Sequence, residues 1–239
     1  MIKNIIIPMA GLGKRFKKEN FSTIKPLITI DKKSIFEEAI NDLPFSQNKT
    51  AIINKKIFNK YLVLDKILKK NNINSFLLDK ETLGQSDTCY KVKKLINEKE
   101  DLFIHSCDYI IKYSYKEFKK LSLKCDVIIF THRLKSSIIK NYNDFAYCKE
   151  IKGNVTKIVE KKTISKNPQN DQMIVGSFWF KQAGDFFKMH EDSIKNNNYV
   201  NNELYVANNI NSLIKKKKKV KVFEVYYWKN LGDYFSYNQ

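Results

Sequence analysis

The groups best suited to chemistry begin close to the N-terminus, in Ile5-Ile6-Ile7-Pro8-Met9-Ala10-Gly11-Leu12-Gly13-Lys14-Arg15-Phe16, followed by Lys25-Pro26-Leu27. Three branched apolar residues suit a strand buried on both faces, and the glycines after it allow a tight turn whose N–H groups can face an anion. Arg15 offers a planar fork of donors to phosphate oxygens, whereas Lys25 is a compact charge on a dipeptide that proline steers away from helix. The combination reads as a phosphate grip. A dinucleotide-binding turn would place a third glycine where Phe16 stands, and a Walker-type loop would follow Gly13-Lys14 with Ser or Thr instead of Arg15.

Asp108 is the second such group. It ends the apolar run Leu102-Phe103-Ile104, and a carboxylate at the carboxyl end of a sheet strand can hold a magnesium ion that bridges phosphates. A surface-turn aspartate is the plainer alternative. His105 reads as a strand residue, because no second histidine lies near it to complete a metal set. Four further stretches have ordinary readings of their own. Gly84-Gln85-Ser86 suits a capped helix start, Lys161 a solvated strand end, Gly176 a strand bulge, and Glu203 the first turn of a helix.

The elements that must position these groups alternate. Short apolar runs at Thr50–Ile53, Ile73–Leu78, 102–104, 124–131, 173–180 and 220–225 are separated by stretches of helical periodicity, as in strand and helix units that build a largely parallel sheet. Ser34 caps a helix bearing Ile35, Phe36, Ala39 and Ile40, residues 58–68 read as one amphipathic helix, and two more helices fall near 186–194 and 203–214. Residues 145–148 and 154–162 read as an antiparallel pair joined near Gly153, and 163–171, with Pro168, as a loop over the substrate.

Length and composition bound the rest. The chain has 239 residues, enough for one α/β domain, and 43% hydrophobic content argues against disorder. No apolar run is long enough to cross a bilayer and no signal peptide is evident, so a cytoplasmic location is expected. Cys89, Cys107, Cys125 and Cys148 lie far apart, which suits reduced thiols. The net charge of +19 comes from scattered lysines, and the single run, Lys215 to Lys219, reads as a solvated turn. A positive field also draws nucleotides and phosphorylated substrates inward.

In order and spacing, the glycine loop with Arg15, Lys25-Pro26-Leu27, the strand-end Asp108, Val159-Glu160-Lys161, Gly176 and Trp228-Lys229-Asn230-Leu231-Gly232 resemble the sugar-phosphate nucleotidylyltransferases. The resemblance runs from Met1 to about Gly232. It implies a single Rossmann-like α/β/α domain with a mostly parallel sheet and a small antiparallel acceptor-binding part. Residues 1–140 would serve mainly the nucleotide and 141–239 mainly the acceptor. The implied nucleotide contacts are Met9, Ala10, Gly11, Leu12, Gly13, Arg15, Lys25, Gly84, Gln85 and Ser86, and the implied acceptor contacts are Tyr147, Glu160, Lys161, Gly176 and Glu203.

Arg15, Lys25, Asp108 and Lys161 would be catalytic, and Asp108 with Asn230 would hold Mg²⁺. The family's closing motif has an aspartate where this chain has Asn230, a weaker ligand for a hard cation, and Asp233 stands nearby as a substitute. The implied partners are an NTP and a sugar 1-phosphate, giving an NDP-sugar for surface polysaccharide synthesis and pyrophosphate, with no nucleic acid or membrane partner. Self-association stays open. A cytidylyltransferase for a non-sugar phosphate or phosphonate, and a non-catalytic basic nucleic-acid-binding protein, are the alternatives.

Overall fold

Ile5, Ile6 and Ile7 are all buried because β1 (Ile2–Met9) runs through the middle of a sheet packed on both faces. Successive strand residues point to opposite sides, so Ile5 and Ile7 join one apolar cluster and Ile6 another. The same alternation separates Ile52 from Ala51 and Ile53, and Ile129 from Ile128 and Phe130. The structure is a computed structural model that describes residues 1–11, 23–30, 32–134 and 141–231.

The other strands, in chain order, are β2 (Thr29–Ile30), β3 (Lys33–Ser34), β4 (Ser46–Asn54), β5 (Asn74–Leu78), β6 (Leu102–Ile104) and β7 (Tyr109–Lys112). They continue with β8 (Val127–His132), β9 (Ala146–Ile151), β10 (Asn154–Glu160), β11 (Gln172–Phe180), β12 (Val220–Glu224) and β13 (Tyr227–Asn230). The helices are α1 (Ile35–Ile40), α2 (Lys55–Lys60), α3 (Leu62–Lys70), α4 (Gln85–Tyr90), α5 (Tyr115–Ser122), α6 (Ala183–Lys195), α7 (Val206–Asn209) and α8 (Asn211–Lys215).

Among the described residues nine strands form one sheet in the order β5-β4-β1-β6-β11-β8-β12-β10-β9. The block β5-β4-β1-β6 is parallel, as is the β8–β12 pair, but β11 runs antiparallel to β6, β8 and β9. The sheet is therefore mixed, a departure from the mostly parallel expectation. α1, α3 and α5 contribute Phe36, Leu68 and Phe118 to one face, and α4, α6, α7 and α8 contribute Cys89, Phe187, Val206 and Leu213 to the other.

Local chemistry explains several boundaries. Ser34 Oγ accepts from the Glu37 N–H while the Glu37 carboxylate accepts from the Ser34 N–H, a reciprocal cap on α1. Loss of such a cap typically costs about 0.5–2 kcal/mol, so Ser34→Ala is expected to lower the urea midpoint with an unchanged slope. An unchanged midpoint would contradict it. The helix expected over 58–68 divides at Tyr61 (φ −120°, ψ 77°) into α2 and α3.

The segment expected as one helix from Glu203 onward starts instead with a tight turn. Asn201 and Asn202 have positive φ, a conformation asparagine tolerates, and the Val200 and Glu203 backbones exchange both hydrogen bonds at 2.9 Å. Helix begins only at Val206. The lysine run lies at and after the end of α8, as read from sequence, and two of its members are paired: Lys216 with Asp192, and Lys218 with Asp185 at 2.9 Å.

Candidate active site

β6 lies parallel beside β1 with Ile104 opposite Ile6, so the chains leaving both strands emerge on one edge of the sheet. Met9 and Ala10, both buried, and exposed Gly11 leave β1 there, and His105-Ser106-Cys107-Asp108 leave β6. His105 is the pin of this turn. Its Nε2 pairs with the Ala39 carbonyl at 2.9 Å and its Nδ1 with Ser177 Oγ at 2.8 Å, while burial pushes its pKa down to about 4. It is thus a neutral structural imidazole, set one residue beyond the strand in which the sequence reading placed it.

Asp108 receives the ammonium of Lys25 on Oδ2 and the hydroxyl of Ser106 on Oδ1. Burial alone would raise its carboxyl, but the Lys25 charge and hydrogen bond, with the Ser106 hydroxyl, outweigh that and hold it below the usual range. Lys25 arrives on the short 3-10 turn Lys25–Leu27, with Pro26 in its first positions. A proline whose missing N–H needs no partner there, and whose φ is already set, suits that start.

Strands β7 and β13, which sequence periodicity did not reveal, form a separate antiparallel ribbon. Its register sets Asn230 opposite Tyr109, and the Leu231 N–H donates to the Asp108 carbonyl at 2.9 Å. Asn230 is thereby brought to the neighbourhood of Asp108. A single carboxylate and an amide fit Mg²⁺ only in company with substrate phosphates, which is how this ion is ordinarily held. Among the described residues no group of three or more His, Cys, Asp or Glu forms a protein-only cage.

Gly176 closes this side. It sits at φ +71° where β11 shifts register between Ile174 and Phe178, and an added Cβ would lie 3.2 Å from Ser106 Cβ and 3.4 Å from the Tyr109 ring. The bulge read from sequence is real, and its position against the Asp108 turn requires glycine.

The residues expected on the acceptor side connect through register. Glu160 is opposite Ala146, Ala146 opposite Ile174, and Ile174 precedes Gly176 by two positions. Lys161, with φ +55°, donates from Nζ to the Asp144 carbonyl and lies 5.7 Å from the Tyr205 ring centre. Ser106, Asp144 and Tyr205 escaped the sequence reading. Ser106 alone carried a local signal, since a hydroxyl two residues before a carboxylate can reach it. Tyr147 is placed in the core instead: it is fully buried and its hydroxyl donates to the Tyr142 carbonyl at 3.0 Å.

Glu160 is half-buried, and burial pushes its carboxyl up to about 7, with Lys161 opposing and Glu203 adding to the rise. The folded state therefore keeps a proton that the unfolded chain releases near the ordinary value of 4.5. The resulting stability is complete below that value and is lost as pH rises through about 7. Glu160→Gln is expected to unfold at a higher temperature than wild type near pH 8 and at nearly the same temperature near pH 4. Superimposable pH profiles would contradict this.

Gly84, with φ +112°, caps α4, and an added Cβ would meet Leu204 N and O at 2.8 Å and Glu203 Cβ at 3.1 Å. Gln85 is half-buried, while Ser86 is fully buried with its hydroxyl spent on His190 Nδ1 at 3.0 Å and Asn209 Nδ2 at 2.9 Å. The Ser86 side chain is thus committed to the protein interior, where the resemblance implied a nucleotide contact. Leu12, Gly13, Arg15 and Asp233 lie outside the described residues.

No family model matches the chain, and no curated protein matches it either. Solved structures do. A nucleoside-diphosphate-sugar pyrophosphorylase from Vibrio cholerae RC9 superposes with a TM-score of 0.78 at 19% identity, covering 98% of this chain and 97% of that one. An inositol-1-phosphate CTP transferase from T. maritima gives 0.72 at 12% identity, covering 100% and 92%. A UTP-bound UGPase from Acinetobacter baumannii gives 0.71 at 15% identity, covering 99% and 91%. These matches show that the chain has the fold of the sugar-phosphate nucleotidylyltransferases.

Proposed function

We propose that this protein is a nucleotidylyltransferase that moves NMP from an NTP to a phosphorylated acceptor. The observation that carries the reading is the Lys25–Asp108 pair at the shared edge of β1 and β6, walled by Gly176. We also read the two-faced sheet as a Rossmann-like three-layer domain, with residues 1–140 serving mainly the nucleotide and 141–239 the acceptor. An acceptor phosphate oxygen attacks the α-phosphorus, a P–O bond forms, and the bond to the β-phosphate oxygen breaks to release pyrophosphate. No proton has to move, so catalysis is positioning and charge neutralisation.

In this scheme Lys25 steadies the α-phosphate and Lys161 orients the acceptor phosphate, leaving the Asp144 carbonyl to do so. Arg15 and the Leu12 and Gly13 N–H groups hold the leaving pyrophosphate. Gly11 and the Gly84-Gln85 turn face the nucleotide, and Gln85 can both donate to and accept from a base edge. Asp108 and Asn230 would hold Mg²⁺, which supplies charge screening between the phosphates. A sugar 1-phosphate acceptor is the first reading. The similarity to an inositol-1-phosphate CTP transferase favours keeping a non-sugar phosphate as the second.

A thermal-shift panel with CTP, GTP, UTP, dTTP and ATP in Mg²⁺ tests nucleotide binding, since a ligand that binds only the folded state raises the midpoint. At least one triphosphate is expected to raise it in wild type and to do so less in Lys25→Ala. No shift with any triphosphate would count against the proposal.

A further inference from the structure

Leu83 to Ser86 and Leu204 to Asn209 belong to opposite halves of the chain, yet three hydrogen bonds fasten them. The Leu204 N–H donates to the Leu83 carbonyl at 2.6 Å, the Ser86 N–H donates to the Leu204 carbonyl at 2.9 Å, and Asn209 Nδ2 donates to Ser86 Oγ at 2.9 Å. Gly84 sits inside this clasp, its missing side chain leaving room for the Leu204 backbone. His190 of α6 anchors the clasp from behind, through Ser86 Oγ on one side and by stacking on Tyr90 of α4, ring centres 4.4 Å apart, on the other.

Ser86, Asn209 and His190 are all fully buried. A buried polar group that loses its partner is costly to leave unpaired, so moving the 83–86 turn alone would cost the Ser86 bonds to Asn209 and His190. Displacing the turn would disturb the Leu204 backbone bonds, and Glu203, whose Cβ lies 3.1 Å from where a Gly84 Cβ would stand, is an implied acceptor contact.

We infer that the two backbone bonds to Leu204, held in place by the Ser86–Asn209–His190 contact behind them, make the base-side turn and the Glu203 segment one mechanical unit, so that nucleotide bound at Gly84-Gln85 fixes the position of Glu203. Ser86 is then a positioning residue and not a nucleotide ligand. This rests on the nucleotidyl-transfer reading above. Because coupling between sites is reciprocal, acceptor bound beside Glu203 also tightens nucleotide.

Amide hydrogen exchange of the full chain with Mg²⁺ and each of the five triphosphates tests it. In wild type, a triphosphate that slows exchange over residues 83–90 is expected to slow it over 200–209 as well. In Ser86→Ala the first protection persists, and the second falls by at least about five-fold, the lower end of ordinary coupling between sites. Asn209→Ala breaks the same bond from its other end without adding volume to the buried site and gives the same expectation if the Ser86 variant does not fold.

Protection confined to 83–90 in wild type overturns the inference alone, as does undiminished protection of 200–209 in the variants. Absence of protection over 83–90 with every triphosphate overturns the functional reading and this inference with it. A loss of packing alone would speed exchange in both segments equally without nucleotide, which also counts against a positioning role.

Discussion

Lys25→Ala is expected to lower turnover by roughly 10²-fold or more, the size seen when one preorganised charge-stabilising group is removed from a transfer site. Two losses coincide. In the proposed scheme the α-phosphate loses the cation that would steady its developing charge, and Asp108 loses the ammonium that offsets its burial. The carboxyl then rises toward or above its usual range, which favours a protonated acid where a carboxylate is needed for a metal. Lys25→Arg keeps charge but replaces a compact ammonium with a broad fork, so only partial recovery is expected. Saturating-substrate turnover separates these outcomes from weaker binding. Wild-type turnover in Lys25→Ala would remove Lys25 from the site.

Gly176→Ala acts on the same turn from the opposite wall. The backbone at φ +71° is strained for any residue with a Cβ, and the new methyl would press on Ser106 Cβ at 3.2 Å and the Tyr109 ring at 3.4 Å. Left-handed strain costs on the order of 1–3 kcal/mol, and the neighbours have little room to yield, because Ser106 is held by Asp108 and Tyr109 lies in the ribbon with β13. The variant should show a lower urea midpoint together with reduced turnover, since moving Ser106 moves the carboxylate it supports. Unchanged stability would mean that β11 relaxes its bulge freely.

The parts of this site legible in sequence were those with a local cause. Branched apolar runs betray buried strands, so β1, β4, β6, β8 and β11 were all anticipated, and Ser34 with Glu37 announced the start of α1. Long-range pairing leaves no such local trace. The ribbon that brings Asn230 to Asp108 depends on two four-residue strands more than a hundred positions apart, and the reversal of β11 depends on where the chain returns. Tyr147 and Ser86 show the same limit at the level of side chains: a polar group on an expected site element can face inward, and only packing decides which way it points. The tight turn before Glu203 was missed because a helix start and an asparagine turn share the same residue types.

The central claim is nucleotidyl transfer, and pyrophosphate release tests it most directly. Wild-type protein with Mg²⁺ and one of the five triphosphates should release pyrophosphate only when a phosphorylated acceptor such as glucose 1-phosphate, inositol 1-phosphate or phosphocholine is added, with an equal amount of NDP-linked product, and chelation of the metal should stop it. No acceptor-dependent release with any pairing, accompanied by steeply salt-dependent binding to DNA or RNA, would contradict the account and favour a nucleic-acid-binding protein instead.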